Sequence, residues 1–95
     1  MAVKEACLDH TLGEVEELTA AVRLLKTEFA GQTAAAKLGY AKRLEYIRRR
    51  FADYKKLVEE LEEAPEEKAG ALHDSAEGIW RELKGLIDAL LLKLA

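Results

Sequence analysis

Two histidines, His10 and His73, and one cysteine, Cys7, are the residues of this chain best suited to metal or nucleophilic chemistry. A carboxylate-bridged di-metal bundle draws on Glu-x-x-His units from two helices, and no glutamate stands three residues before either histidine. His73 and Glu77 do share a helical face, with Asp74 alongside. At that spacing the plainer reading is a solvated helix surface rather than a pair of ligands. Cys7 near the start of a helix gains slight activation from the positive helix end, but its simplest role is that of a small half-buried side chain. A glycine-rich phosphate loop is missing from the sequence. The residues thus nominate no catalytic group, no metal and no cofactor, and the expectation is a non-enzymatic protein.

The most suggestive charged feature is the basic run Lys42-Arg43, Arg48-Arg49-Arg50 and Lys55-Lys56. Lys42, Arg49 and Lys56 recur every seven residues on one helical face, and Arg43 and Arg50 form a second row. Such a stripe can follow a phosphate backbone, with Tyr46 placed to stack on a base. Glu45 and Asp53 interrupt the same outer surface, so an ordinary solvated face is the plainer reading and nucleic-acid binding the alternative.

A second candidate surface lies near the C-terminus, where Trp80, Leu83, Leu86, Ile87, Leu90 and Leu91 make one helix end strongly apolar. These residues suit a seam with a partner helix, either of a second copy or of another helical protein. Attachment to a membrane surface is the rival, weakened by Glu82 and Asp88 on the polar face. Tyr40, Phe51 and Tyr54 fall on the apolar stripe of the preceding helix and are read as packing groups.

Elements that position these groups follow from composition and periodicity. Ala, Leu, Glu, Lys and Arg dominate, while one proline and six glycines leave little chain for turns. From about residue 3 to 29, Leu8, Val15, Val22 and Phe29 repeat every seven residues, with Leu18 and Leu25 in the offset row and Thr11 where that row should begin. From about 34 to 62 the stripe is Ala36, Tyr40, Leu44, Ile47, Phe51, Tyr54, Val58 and Leu61. From about 65 to 94 it is Leu72, Ala76, Ile79, Leu83, Leu86, Leu90 and Leu94, widened by Trp80, Ile87 and Leu91. Gly31 offers a left-handed helix end, Thr33 a cap, and Pro65 a break that opens the third helix in its first turn.

Three helices of similar length joined by short breaks predict a single all-α domain, an antiparallel three-helix bundle or helical coiled coil. The rival is one helix from 3 to 62 followed by a return at Pro65, which buries the first stripe only by dimerising. Charge order favours the bundle: residues 37–58 hold eight positive and two negative side chains, between acidic neighbours, within a net charge of −3. The N-terminus lacks the apolar run of a secretory signal, the longest apolar stretch is too short to span a bilayer, and one cysteine makes no internal disulfide. A cytoplasmic setting is expected.

The run Ala36-Lys37-Leu38-Gly39-Tyr40-Ala41-Lys42-Arg43-Leu44, with Lys56-Leu57, Leu61 and Ile79-Trp80-Arg81-Glu82-Leu83-Lys84-Gly85, resembles small bacterial coiled-coil-domain proteins of uncharacterised function. Members of that family carry a Trp-x-x-Leu-Lys unit in the C-terminal helix, often twice; here the second is intact and Leu72 or His73 stands near the place of the first. The resemblance implies a helical, cytosolic protein and lends no catalytic residue.

Overall fold

Thr33 divides the first half of the chain. Its backbone is extended (φ −67°, ψ 161°) and its hydroxyl accepts a hydrogen bond from the Ala36 amide at 3.2 Å, satisfying one of the free donors at a helix start. In this computed structural model, which describes residues 3–94, the chain accordingly forms α1 (Val3–Ala30), α2 (Ala34–Glu63) and α3 (Glu66–Leu94). The bundle expected from the repeats is the observed one, and the rival continuous helix from 3 to 62 is broken at residues 31–33. The three rods pack into a body of 50 × 18 × 16 Å.

The first turn is made differently from the expectation. Gly31 does not adopt a left-handed conformation; no described residue has a positive φ. Its amide continues the helical pattern to the Thr27 carbonyl at 3.3 Å. The Gln32 side-chain amide does the capping instead, donating to the Glu28 carbonyl at 3.3 Å and the Leu94 carbonyl at 3.0 Å. Two helix ends whose last carbonyls lack helical partners are thus tied together by one side chain. At the second turn, Pro65 stands just before the first helical residue, and its carbonyl accepts from the Lys68 amide at 3.0 Å.

α1 and α3 run parallel, because two short connections return the chain twice. Their register is fixed at both ends: the Lys4 amide donates to the Glu66 carboxylate at 3.2 Å, and Gln32 reaches Leu94, pairs each separated by 62 residues. A residue of α1 therefore lies level with the residue about 62 or 63 positions later in α3.

Burial of the leucine seams holds the bundle together. Leu18, Val22 and Leu25 from α1 meet Leu44, Ile47, Phe51, Tyr54 and Val58 from α2, and Leu83, Ile87, Leu90 and Leu94 from α3. Each fully buried aliphatic side chain contributes about 1.5–3 kcal/mol relative to exposure. Ion pairs are sparse by comparison. Among the described residues the basic α2 pairs with a neighbouring helix through Arg50 Nε to Glu82 Oε1 at 2.9 Å, and α1 meets α3 through Glu17 and Lys84 at 3.0 Å. Charge supplements the apolar seams and does not replace them.

Candidate functional site

Toward the N-termini of α1 and α3, polar side chains enter the bundle core beside a small apolar cluster of Cys7, Leu61 and Ala69. The buried row of α1 runs through Cys7, Thr11 and Glu14 before it reaches Leu18. Thr11 satisfies its hydroxyl locally, donating to the Leu8 carbonyl at 3.0 Å. Glu14 cannot do this. It is 5% exposed, and its Oε1 accepts a 2.9 Å hydrogen bond from the Tyr54 hydroxyl in α2.

The parallel register of α1 and α3 places His10 beside His73, and Glu14 beside Glu77. The imidazoles meet edge to face, with centroids 5.4 Å apart. His10 Nε2 lies 3.3 Å from Glu14 Oε2 and 2.9 Å from Glu77 Oε1. His73 Nε2 lies 3.4 Å from the same Glu77 oxygen. Ligand-type atoms of His10, His73 and Glu77 all fall within 4.8 Å of one another. Despite these short approaches, His73 Nε2 and Glu77 Oε1 are buried without a hydrogen bond of acceptable geometry. Trp80 Nε1, one turn beyond Glu77, is likewise buried and unpartnered.

Electrostatics of the cluster follow from its burial. Removal from water, then the neighbouring Glu77 carboxylate, push the Glu14 carboxyl up to about 7, against the opposing influence of the Tyr54 hydroxyl and His10. Tyr54 is itself raised above the ordinary phenol range, by burial first and then by Glu14. Two carboxylates, two imidazoles and a phenol thus converge between helices where one net charge is costly. The solvated face expected for His73 and Glu77 is a partly buried cluster, with His10 and Glu14 completing it. The signal was a repeated His-x-x-x-Glu spacing, His10 to Glu14 and His73 to Glu77.

At the other end of the bundle, α2 and α3 leave an open groove of about 410 Å³. Tyr46, Ile47, Leu86 and Leu90 supply its apolar lining, while Lys42, Arg43 and Lys93 stand around it and no carboxylate side chain among the described residues lines it. Of the six apolar residues expected to meet a partner, Leu83, Ile87 and Leu90 are spent inside the bundle, at 0%, 0% and 3% exposure. Trp80 and Leu91 are half-buried against the core, and Leu86 is 38% exposed. Leu86 thus turns outward from the seam that Ile87 enters.

The residues of the basic stripe have different surroundings. Lys42 and Arg43 line the α2–α3 groove, with the Arg43 guanidinium 5.7 Å from the centre of the Tyr40 ring. Arg50 is committed to Glu82 and to Asp53, at 2.9 and 3.0 Å. Arg49 and Lys56 are exposed. On the opposite flank of α2, Arg48 and Lys55 join Arg23 and Lys26 of α1 around a smaller groove of about 350 Å³, also without a carboxylate side chain among the described residues. The α1 contribution to that basic face was not anticipated, because its cations are two among six acidic residues in the same segment.

No helix among the described residues is long and apolar enough to cross a membrane. Compared with known proteins, the chain matches no family model, no curated protein and no solved structure.

Proposed function

We propose that this protein is a non-enzymatic interaction module that docks an acidic amphipathic helix of another protein in the groove between α2 and α3. One observation carries the reading: the exposed apolar surface of Tyr46 and Leu86, lying over the buried Ile47 and Leu90, is bordered by Lys42, Arg43 and Lys93, with no negative side chain among the described residues lining it. Apolar burial would supply the affinity, and the cations would choose an occupant whose flanks are acidic. Leu38 and Leu92, each 81% exposed, stand one helical turn from Lys42 and Ala89 and extend the apolar area along both helices. The three-helix core is closed within one chain, so dimerisation is not needed to cover it. A free, buried Cys7 suits a reducing cytoplasm as the setting.

The test is an amide NMR titration with a designed amphipathic peptide carrying leucines on one face and glutamates at the flanks. Shifts confined to Tyr46, Ile47, Leu86, Leu90 and their neighbours support the reading. Equal response to a lysine-flanked version of the peptide overturns it. A concentration-dependent dimer in sedimentation that blocks the same shifts would assign the groove to a second copy.

A second reading rests on the basic groove between α1 and α2. Arg23, Lys26, Arg48 and Lys55 converge there without carboxylates and would suit a polyanion such as a nucleic-acid backbone. Binding of a fluorescent oligonucleotide should then fall steeply with salt and be lost in Arg48→Glu/Lys55→Glu. Absence of binding at low salt removes this reading.

A further inference from the structure

We propose that His10, His73 and Glu77, with Glu14 as the fourth ligand, form a binding site for a single divalent transition-metal ion of the zinc class. Imidazole and carboxylate are the donors that such ions accept, and the cluster presents two of each from α1 and α3. Around a tetrahedral zinc, ligands about 2.0–2.1 Å from the ion lie about 3.3 Å from one another. Three donor separations here, 2.9, 3.3 and 3.4 Å, lie near that edge, and the ligand atoms of His10, His73 and Glu77 all fall within 4.8 Å of one another.

Hydrogen bonding alone leaves this arrangement incomplete. Both imidazole Nε2 atoms approach the same Glu77 Oε1, yet that oxygen and His73 Nε2 remain buried without a hydrogen-bond partner. Buried polar groups in folded proteins are nearly always paired, so two orphans facing each other at 3.4 Å need an explanation. Lone pairs aimed at a common cation supply it. Glu14 has the orientation of a supported ligand: Oε1 is held by the Tyr54 hydroxyl while Oε2 faces His10. Outer hydrogen bonds of this type fix ligating carboxylates in metal sites.

The protein fold delivers the ligands without a loop. Each helix contributes a His-x-x-x-Glu pair on one face, and the register locked by Lys4–Glu66 and Gln32–Leu94 brings the pairs level. His10 is the entry side, with a side chain 56% exposed, whereas Glu14 closes the floor at 6%. Binding would therefore staple α1 to α3 at the end opposite the apolar groove. Calcium and magnesium favour all-oxygen sites and are disfavoured by two imidazoles.

The experiment titrates zinc chloride into chelator-treated protein, read by calorimetry and by fluorescence of Trp80, one turn from Glu77. Expected are an endpoint of one ion per chain and a thermal midpoint that rises with zinc concentration. Cobalt chloride should develop the visible absorption of a low-coordinate site, and magnesium chloride should change neither signal. His10→Ala, at an exposed position, should keep the helical circular dichroism and weaken zinc by more than about 10–100-fold, and Tyr54→Phe should weaken it about 10-fold. Zinc affinity unchanged in both His10→Ala and His73→Gln, or a weak titration without an endpoint, would overturn the proposal.

Discussion

Tyr54 and Glu14, forty residues apart in sequence, share a 2.9 Å hydrogen bond between the middle of α2 and the buried face of α1. It is the polar link that lets a carboxylate occupy a position in the bundle seam where an aliphatic residue would otherwise sit. The relationship is asymmetric. Tyr54 packs its ring among apolar neighbours and keeps that packing without the hydroxyl, whereas Glu14 without the hydroxyl loses a buried donor. Tyr54→Phe should therefore destabilise the metal-free protein by about 1–3 kcal/mol. Glu14→Leu combined with Tyr54→Phe should cost less than the sum of the single changes, because no orphaned group remains. Urea unfolding of the four proteins measures the coupling, and simple additivity would contradict it.

The same carboxyl makes stability depend on pH in an unusual direction. Glu14 is pushed up to about 7 in the folded state by burial and by Glu77, from an ordinary value of 4.5. Facing it are His10 from its own helix, Tyr54 from α2 and Glu77 from α3. Between these two pH values the folded chain binds more protons than the unfolded chain, so the stability contribution falls as pH rises through the window. In metal-free buffer, the stability of wild type relative to Glu14→Gln should increase on acidification from pH about 8 to about 5. A flat difference across that range, measured by denaturant unfolding, would place Glu14 in an ordinary solvated environment.

Much of this architecture was legible because leucine-type residues mark helical faces strongly. Thr33 and Pro65 sit at the two breaks, and the stripe of α2 from Leu44 to Leu61 is buried as its spacing requires. The phase of α1 was harder. Its apolar heptads suggest Leu8 and Val15 as seam residues, but both are half-buried while Cys7, Thr11 and Glu14 face inward. Hydrophobic periodicity is blind to a seam whose inward positions are polar, since a buried glutamate and a solvated one look alike in sequence. Pairing of the two histidines was hidden for a related reason: it depends on the register between α1 and α3, set by Glu66 and Gln32 at the ends. In α3 the spacing puts Leu86 on the stripe and Ile87 at its margin, and the structure reverses them, with Ile87 buried and Leu86 38% exposed, because both fall within a wide apolar arc.

Cys7 tests the tightness of packing at the start of α1. Burial raises its thiol above the ordinary range, and the Asp74 and Glu66 carboxylates add to the effect. Because the thiolate is the reactive form, alkylation by iodoacetamide near neutral pH should be much slower in the folded protein than in the urea-unfolded chain. The folded-state rate should rise when the Lys4–Glu66 contact is removed by Glu66→Ala, since α1 then loses a tether at its first turn and the carboxylate near Cys7 disappears. Equal rates in folded and unfolded protein would mean that the start of α1 does not pack.

Leu83 and Leu86 separate core from surface within one helical turn. Leu83 is fully buried between the helices, whereas Leu86 is 38% exposed and lines the α2–α3 groove. Truncating Leu83 removes side-chain volume from a packed interior whose neighbours relax only partly. Leu83→Ala should thus cost about 2–5 kcal/mol and lower the unfolding midpoint accordingly. Leu86→Ala removes a side chain that water already reaches and should change stability by less than about 1 kcal/mol. If the groove docks an acidic amphipathic helix, the same change should weaken the designed peptide at least about tenfold, the behaviour of a central apolar anchor. Unfolding curves and peptide titrations on both variants decide the matter together: a Leu86→Ala protein that unfolds as easily as Leu83→Ala would mean that Leu86 belongs to the core after all.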